Sequence, residues 1–139
     1  MDFQEALAYL DEHMSYQKTG RIESPSTEPI AAICAALGDP HRAAPVIHVT
    51  GTNGKGSTVQ MISRLLAAHG LTVGTYTSPH LERVTERFKR NGEPIGEEEL
   101  AEQIGAVADV APLVGQNPGY FEILTAAAFR WFADIAVDV

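Results

Sequence analysis

The segment Val46-Ile47-His48-Val49-Thr50-Gly51-Thr52-Asn53-Gly54-Lys55-Gly56-Ser57-Thr58 decides the fold of this chain. Residues 46–50 are mostly apolar and β-branched, which predicts a buried strand. A glycine-rich turn containing one lysine follows, and an apolar helical pattern begins directly after it. This order of parts predicts a phosphate-binding loop, because consecutive backbone N–H groups and the positive end of the helix face the anion.

The spacing of this loop differs from the usual pattern G-x-x-x-x-G-K-[ST]. Val49 stands where that pattern has its first glycine, and Gly56 separates Lys55 from the first hydroxyl. The physical requirements are still met, since the turn, the lysine, the hydroxyls and the helix are all present. A glycine-rich connection with an accidental lysine is the alternative interpretation. The predicted phosphate-site residues are Gly51, Thr52, Asn53, Gly54, Lys55, Gly56, Ser57 and Thr58.

The loop residues 50–57 resemble the nucleotide loop of folylpolyglutamate synthases and dihydrofolate synthases, which belong to the wider Mur ligase group. Three other segments share the resemblance, and together they cover most of the chain in the order of the family's motifs. They are Tyr16-Gln17-Lys18-Thr19-Gly20-Arg21-Ile22-Glu23, Ser78-Pro79-His80-Leu81-Glu82-Arg83-Val84-Thr85-Glu86-Arg87 and Tyr120-Phe121-Glu122-Ile123-Leu124-Thr125-Ala126-Ala127-Ala128-Phe129. The last two point to the folate branch of the group.

The residues predict a β-α-β unit, with strands over 46–50 and 71–77 and a helix that ends at Gly70. Such a unit implies parallel strands and a right-handed crossover. Residues 135–139 predict the start of a further strand. The resemblance implies an α/β fold: a P-loop-containing, Rossmann-like, mostly parallel sheet flanked by helices, as in the central ATPase domain of Mur ligases. In the family this last strand leads into an acidic magnesium ligand, so we expect residues 1–139 to be the N-terminal part of the ATP-binding domain, without its remainder and without the C-terminal glutamate-ligase domain.

Four further helices are predicted from apolar residues at helical spacing, as in Phe3, Leu7, Leu10 and Met14. They cover the N-terminus, residues 30–37, the region after Glu97-Glu98-Glu99, and the region from Phe121 to Phe132. The helix after the loop has Ile62, Leu65, Leu66 and His69 on one face. Residues 78–95 predict a long connection that contains an Asn91-Gly92 turn signal.

Composition restricts the possible partners. The chain has 10 basic and 18 acidic side chains and a formal net charge of −8, which argues against nonspecific nucleic-acid binding. The densest basic run comprises Arg83, Arg87, Lys89 and Arg90 and is interleaved with Glu82 and Glu86. Such a run predicts either a solvated face or a contact for an anionic substrate.

Cys34 is the single cysteine, so no internal disulfide is possible, and its apolar neighbours predict burial. With neither a long apolar run nor an export pattern, we expect a cytoplasmic protein without membrane partners. A monomer is expected as well.

The resemblance implies an ATP-dependent amide ligase that adds L-glutamate to a folate, to dihydropteroate, or to both. The carboxylate would first accept the γ-phosphoryl group of ATP, and the amine would then attack the acyl phosphate. ATP and Mg²⁺ are the implied cosubstrate and metal, and Lys55 is the implied catalytic residue at the β- and γ-phosphates. A Mur-type ligase of cell-wall precursors and a nucleotide-binding regulatory module without ligation are the alternatives. We expect the 139-residue piece alone to be inactive.

The resemblance also assigns a metal ligand and a substrate wall. Ser78 is the implied magnesium ligand, against the alternative of a turn hydroxyl before Pro79. Residues near the pteroate or folate substrate are predicted in two segments: His80, Arg83, Tyr120, Phe121 and Glu122. Simple loop structure is the alternative for the first segment, and a buried aromatic with a helix-start carboxylate is the alternative for the second.

Overall fold

Five α-helices and a three-stranded sheet form the described part of the chain. The computed structural model describes residues 1–14, 26–80 and 82–139, so the Tyr16–Glu23 motif lies outside the described residues. The helices are α1 (Phe3–Glu12), α2 (Glu28–Ala36), α3 (Lys55–Ala68), α4 (Glu97–Val110) and α5 (Tyr120–Asp134). The strands are β1 (Gly74–Tyr76), β2 (Phe88–Arg90) and β3 (Glu93–Pro94). Short 3-10 turns cover Pro40–Arg42, Val84–Arg87 and Pro112–Val114.

The core lies between α1, α4, α5 and the underside of the small sheet. Leu100 and Ile104 of α4, Leu124 of α5, Leu10 of α1 and Phe88 of β2 are all almost completely buried in it. Full burial of each such side chain contributes about 1.5–3 kcal/mol to folding. The four helices predicted by periodicity outside the loop region are confirmed. None of the helices in the described ranges combines the length and apolarity needed to cross a bilayer.

The sheet is antiparallel in the order β1-β2-β3. Tyr76 pairs with Phe88 across the first two strands, and Arg90 pairs with Glu93 across the second and third. Asn91 and Gly92 form the two-residue turn between β2 and β3, with φ values of 47° and 84°. Two positive φ values in succession suit the right-handed twist of a hairpin. The Asn91-Gly92 turn is therefore confirmed, although the hairpin around it was predicted only as a long connection.

The strand predicted over residues 46–50 is not formed. Val46 and Ile47 are 64% and 54% exposed, so the β-branched run has no neighbouring strand in the described residues to complete its hydrogen bonds. On the apolar face of α3, Leu65 is 64% exposed. Val46, Ile47 and Leu66 line a cavity of about 480 Å³ with mainly apolar walls. β-branched residues indicate strand propensity, but the strand itself requires a partner.

The strand predicted over residues 135–139 is not formed, yet the end of this segment bonds to the segment that leads into β1. The Val139 N–H donates to the Thr72 carbonyl at 3.4 Å, and the Gly74 N–H donates to the Val139 carbonyl at 3.0 Å. Bonds from one residue to both neighbours of Val73 are the pattern of parallel strands. The chain is thus α/β with a small antiparallel sheet, and one parallel contact lies on the outer side of β1.

Candidate nucleotide and substrate site

The glycine-rich loop is exposed and has the backbone conformation that requires glycine. Residues 50–57 are all exposed to solvent. Gly51 has φ 144°, and Gly54 has φ 73° and ψ 6°, which is the left-handed region that side chains disfavour. A Cβ atom at Gly54 or Gly56 would meet no atom within 4 Å. The loop therefore has open space around its backbone, as a phosphate group would need.

The N-terminus of α3 begins directly at this loop and has no side-chain cap. Gly54 occupies the N-cap position, and the Thr58 N–H to Gly54 carbonyl bond of 3.0 Å is the first bond of the helix. The N–H groups of Lys55, Gly56 and Ser57 thus have no acceptor within the helix. In α1, by contrast, Asp2 caps the helix and Glu5 lies in its first turn, whereas α3 has no acidic residue there. The positive end of α3 is therefore left for an external anion.

Lys55 is the first residue of α3 and adds a full positive charge to this end. Its side chain is exposed, as is the Ser57 hydroxyl, while Thr58 is half-buried. No ion pair holds the Lys55 ammonium within the ranges that the structure describes. The loop residues predicted from the sequence therefore lie together around one helix end, with a cation, free N–H groups and a hydroxyl available to a triphosphate.

Ser78 lies just beyond β1 and is exposed. The preceding residue is anchored, since the Thr77 N–H donates to the Arg87 carbonyl at 3.0 Å, and the peptide bond from Ser78 to Pro79 is cis. Within the described ranges no three His, Cys, Asp or Glu side chains are grouped as a metal site. A hydroxyl oxygen fits Mg²⁺, which takes few protein ligands and completes its shell with water and phosphate oxygens. Ser78 is thus chemically suited to the role implied for it.

His80 is bonded to a buried arginine of the basic run. The Arg87 Nε–H donates to Nδ1 of His80 at 2.9 Å, and Arg87 is only 5% exposed. Burial, and then the positive charge of Arg87, lower the pKa of His80, while Glu86 opposes this. The prediction of a solvated face is therefore wrong at Arg87, and it holds at Arg83, which is exposed.

The start of α5 supplies an aromatic surface beside this arginine. The guanidinium carbon of Arg87 lies 5.5 Å from the centre of the Tyr120 ring. Phe121 is 53% exposed and stacks on Tyr76, with ring centres 6.0 Å apart and planes inclined by 27°. Phe121 therefore does not belong to the buried stripe of α5. An exposed phenylalanine beside a half-buried tyrosine is suited to contact a flat, apolar ligand.

Tyr76 is fixed in position by hydrogen bonds. The Thr125 hydroxyl donates to the Phe121 carbonyl at 2.8 Å, so the Tyr76 hydroxyl, 3.2 Å from Thr125 Oγ1, must donate to that oxygen. Burial raises the pKa of Tyr76 to about 12, although the charge of Arg87 acts in the opposite direction. Neither Tyr76 nor Thr125 was predicted from the sequence, because neither stands in a recognisable motif.

Glu122 lies at the start of α5 as a carboxylate that accepts a backbone N–H, which is the alternative that the sequence left open for it. Its Oε1 accepts the Gly119 N–H at 3.1 Å, which satisfies a backbone donor at the beginning of α5. Glu122 is half-buried. Tyr76 and Phe121 also line the 480 Å³ cavity, as do Val49 and Val59 next to the loop. The cavity thus lies between the aromatic surface and the phosphate-loop region.

Comparison with known proteins identifies the relatives of this chain. No family model matches it. It is 41% identical over 119 residues to a probable bifunctional folylpolyglutamate synthase/dihydropteroate synthase of Halobacterium salinarum, a match that covers 83% of the chain and 15% of that protein. It is 37% identical over 144 residues to the folylpolyglutamate synthase of Lacticaseibacillus casei, covering all of the chain and 32% of that protein.

Solved structures agree with these relatives. The Mycobacterium tuberculosis folylpolyglutamate synthase complexed with ADP has a TM-score of 0.88 and 34% identity, over 99% of the chain and 30% of that protein. A bifunctional folylpolyglutamate synthase/dihydrofolate synthase with Mn, AMPPNP and L-glutamate bound has a TM-score of 0.86 and 31% identity, over 100% of the chain and 32% of that protein. The chain therefore spans about a third or less of the length of the proteins it matches. The resemblance seen in the sequence is confirmed, and the chain belongs to the folylpolyglutamate synthase/dihydrofolate synthase family.

Proposed function

We propose that this chain is the nucleotide-binding part of an ATP-dependent ligase that adds L-glutamate to a folate or to dihydropteroate. The observation that carries the proposal is the uncapped N-terminus of α3 behind Gly54, in a chain whose relatives include an enzyme solved with ADP. Because the chain spans only part of those relatives, the reaction belongs to a complete ligase in which residues 1–139 are joined to the part that the relatives have beyond the match.

The reaction needs activation of a carboxylate, which does not react with an amine near neutral pH. Transfer of the γ-phosphoryl group of ATP to a carboxylate oxygen gives an acyl phosphate and ADP. The glutamate amine then attacks the carbonyl carbon, phosphate leaves with the bonding electrons, and the amine loses a proton. Catalysis by the protein consists mainly of alignment and of stabilisation of the phosphate charge.

Lys55 and the N–H groups at the start of α3 would supply that stabilisation. The ammonium would contact the β- and γ-phosphates, while the backbone of residues 51–58 would surround the triphosphate. The exposure of this loop and the absence of an acidic residue in the first turn of α3 support this role. Magnesium, when bound through the Ser78 hydroxyl and phosphate oxygens, would neutralise charge on the transferred group.

We infer that the pteroate or folate substrate contacts His80, Tyr120 and Phe121, with Arg83 and Glu122 at the edge of the same region. The exposed Phe121 ring stacked on Tyr76 supports an aromatic surface for a flat heterocycle. The Glu122 carboxylate already accepts the Gly119 N–H, so it would contact substrate only through its other oxygen.

We infer further that residues 46–50 and 135–139 join the segment around β1 in a mostly parallel sheet within the complete ligase. The bonds of Val139 on either side of Val73 support this arrangement, as do the exposed Val46 and Ile47 beside the apolar cavity. A buried parallel strand reads as a continuous apolar run, as residues 46–50 do. A cytoplasmic location and a monomeric state stay predictions from the sequence.

The test is release of phosphate from ATP by the complete ligase, measured with and without a pteroyl substrate and L-glutamate. We expect release to require both, and Lys55→Ala to lower kcat/KM by about 100-fold or more. Arg64→Ala is the matched control, since Arg64 is an exposed cation on the same helix. Phosphate release that does not depend on the pteroyl substrate or on L-glutamate would contradict the proposal. A Lys55→Ala enzyme as active as the Arg64→Ala control would contradict it too.

A further inference from the structure

Arg87 is a buried cation at the centre of the proposed substrate wall. It is 5% exposed, and its side chain contacts His80 on one side and the Tyr120 ring on the other. The ion pairs within the described ranges do not include it. A charged side chain is costly to bury, so its position calls for a reason other than chain folding alone.

The bond from Arg87 fixes the proton of the His80 ring. An arginine side chain has donors and no acceptor, so Nδ1 of His80 must accept the Nε–H at 2.9 Å and cannot itself bear hydrogen. A neutral imidazole then has its proton on Nε2, which becomes a donor. Within the described residues no hydrogen bond is formed by Nε2 of His80, so this donor is available to a ligand.

The Arg87 side chain contacts two separate segments of the chain. His80 lies in the connection after β1, whereas Tyr120 begins α5, forty residues further along the chain. The backbone of Arg87 is held as well, because its carbonyl accepts the Thr77 N–H at 3.0 Å. A planar guanidinium that bonds one residue and lies near an aromatic ring sets the distance between them, which an ammonium would not do equally well.

We propose that Arg87 is a positioning residue of the pteroyl-substrate pocket, which orients His80 as a neutral Nε2–H donor and holds it at a fixed distance from Tyr120. The Nε2–H would bond an acceptor atom of the bound substrate, such as a carbonyl or ring nitrogen. This inference rests on the proposed function for the identity of the ligand, but the Arg87–His80 bond itself does not.

The first experiment tests the bond in the complete ligase. Nitrogen-15 NMR of labelled histidine distinguishes an acceptor Nδ1 from a protonated one. We expect His80 to show a non-protonated Nδ1 and a protonated Nε2 in the wild type and in Arg90→Met, which removes an exposed arginine of the adjoining strand β2. Arg87→Met should give a mixture of the two tautomers. A protonated Nδ1 in the wild type, or no change in Arg87→Met, would overturn the proposal.

The second experiment separates the donor role of His80 from a merely structural one. In the complete ligase, His80→Gln keeps an amide N–H near the place of Nε2, whereas His80→Asn keeps an acceptor near Nδ1. We expect the KM for the pteroyl substrate to rise about tenfold in His80→Asn and by no more than about threefold in His80→Gln. Equal or reversed effects would overturn the donor role.

Substitution of Arg87 gives the third comparison. Arg87→Met and Arg87→Lys should each raise the KM for the pteroyl substrate by about tenfold and leave the KM for ATP unchanged, while Arg90→Met should change neither. Equal KM values in Arg87→Met and Arg90→Met would overturn the positioning role in an otherwise active ligase. Phosphate release that does not depend on a pteroyl substrate would instead refute the proposed function. The NMR experiment would still show whether the Arg87–His80 hydrogen bond exists.

Discussion

Gly74 of β1 lies so close to the Phe132 ring of α5 that no side chain fits between them. A Cβ atom at Gly74 would lie 2.5 Å from Cδ1 and 2.6 Å from Cε1 of Phe132. Because carbon atoms in contact lie about 3.5–4.0 Å apart, Gly74→Ala requires the ring or the strand to move by about 1 Å. We expect this substitution to lower the free energy of unfolding by about 1–3 kcal/mol, the usual cost of overpacking. The midpoint of thermal unfolding would fall by roughly 3–9 °C.

Removal of the ring gives the control for this prediction. In a Phe132→Ala background, Gly74→Ala should be neutral or stabilising by up to about 1 kcal/mol, since alanine restricts the unfolded chain. Chemical denaturation of the wild type, both single variants and the double variant gives the coupling energy, expected at about 1–3 kcal/mol. If Gly74→Ala had the same cost in both backgrounds, the ring would not be the obstacle and the reasoning would be refuted.

Three further predictions follow from buried side chains. Phe88→Ala should lower the free energy of unfolding by about 3–5 kcal/mol, because Phe88 is completely buried; a loss below 1 kcal/mol in a denaturant titration would contradict this. Burial, and then Asp39, raise the pKa of Cys34, so its thiol should react with iodoacetamide far more slowly than that of the unfolded chain, and equal rates would contradict its burial. Burial raises the pKa of Tyr76 to about 12, so its contribution to stability should be complete below pH 10.0 and be lost as the pH rises towards 12; a titration of phenolate absorbance in which every tyrosine ionises near pH 10.0 would be the contrary result.

Helices were predictable because their signal is local. In α1 and α4 the apolar residues recur at helical spacing, and the same residues, such as Leu10 and Ile104, are buried in the structure. Helix ends were also signalled, since Gly38 and Gly70 follow α2 and α3 with φ values of 89° and 83°.

Features that depend on distant parts of the chain were not predictable in the same way. The β-branched run at 46–50 indicates strand propensity, but no described segment pairs with it. Arg87 stands in a mixed-charge run typical of solvated surfaces, but it is buried in the structure, where Tyr120 of α5 and His80 lie beside it. The aromatic stack of Tyr76 on Phe121 likewise joins residues that are 45 positions apart in the printed sequence.

The glycine-rich loop was predictable because its conformation is encoded by consecutive residues. Positive φ at Gly51 and Gly54, an uncapped helix start and a lysine at its first position all follow from residues 51–55 themselves. The fold neighbours add what the loop alone leaves open, namely that proteins of this shape have been solved with adenine nucleotides bound.

The central claim is that backbone N–H groups at residues 51–58 bind the phosphates of ATP. Hydrogen exchange of the complete ligase, measured by mass spectrometry with and without ATP and Mg²⁺, tests it directly. We predict slower exchange in a peptide that covers this loop, abolished in Lys55→Ala and retained in Arg64→Ala. Unchanged exchange in that peptide at saturating ATP would contradict the account, because amides that donate to phosphate oxygens must exchange more slowly.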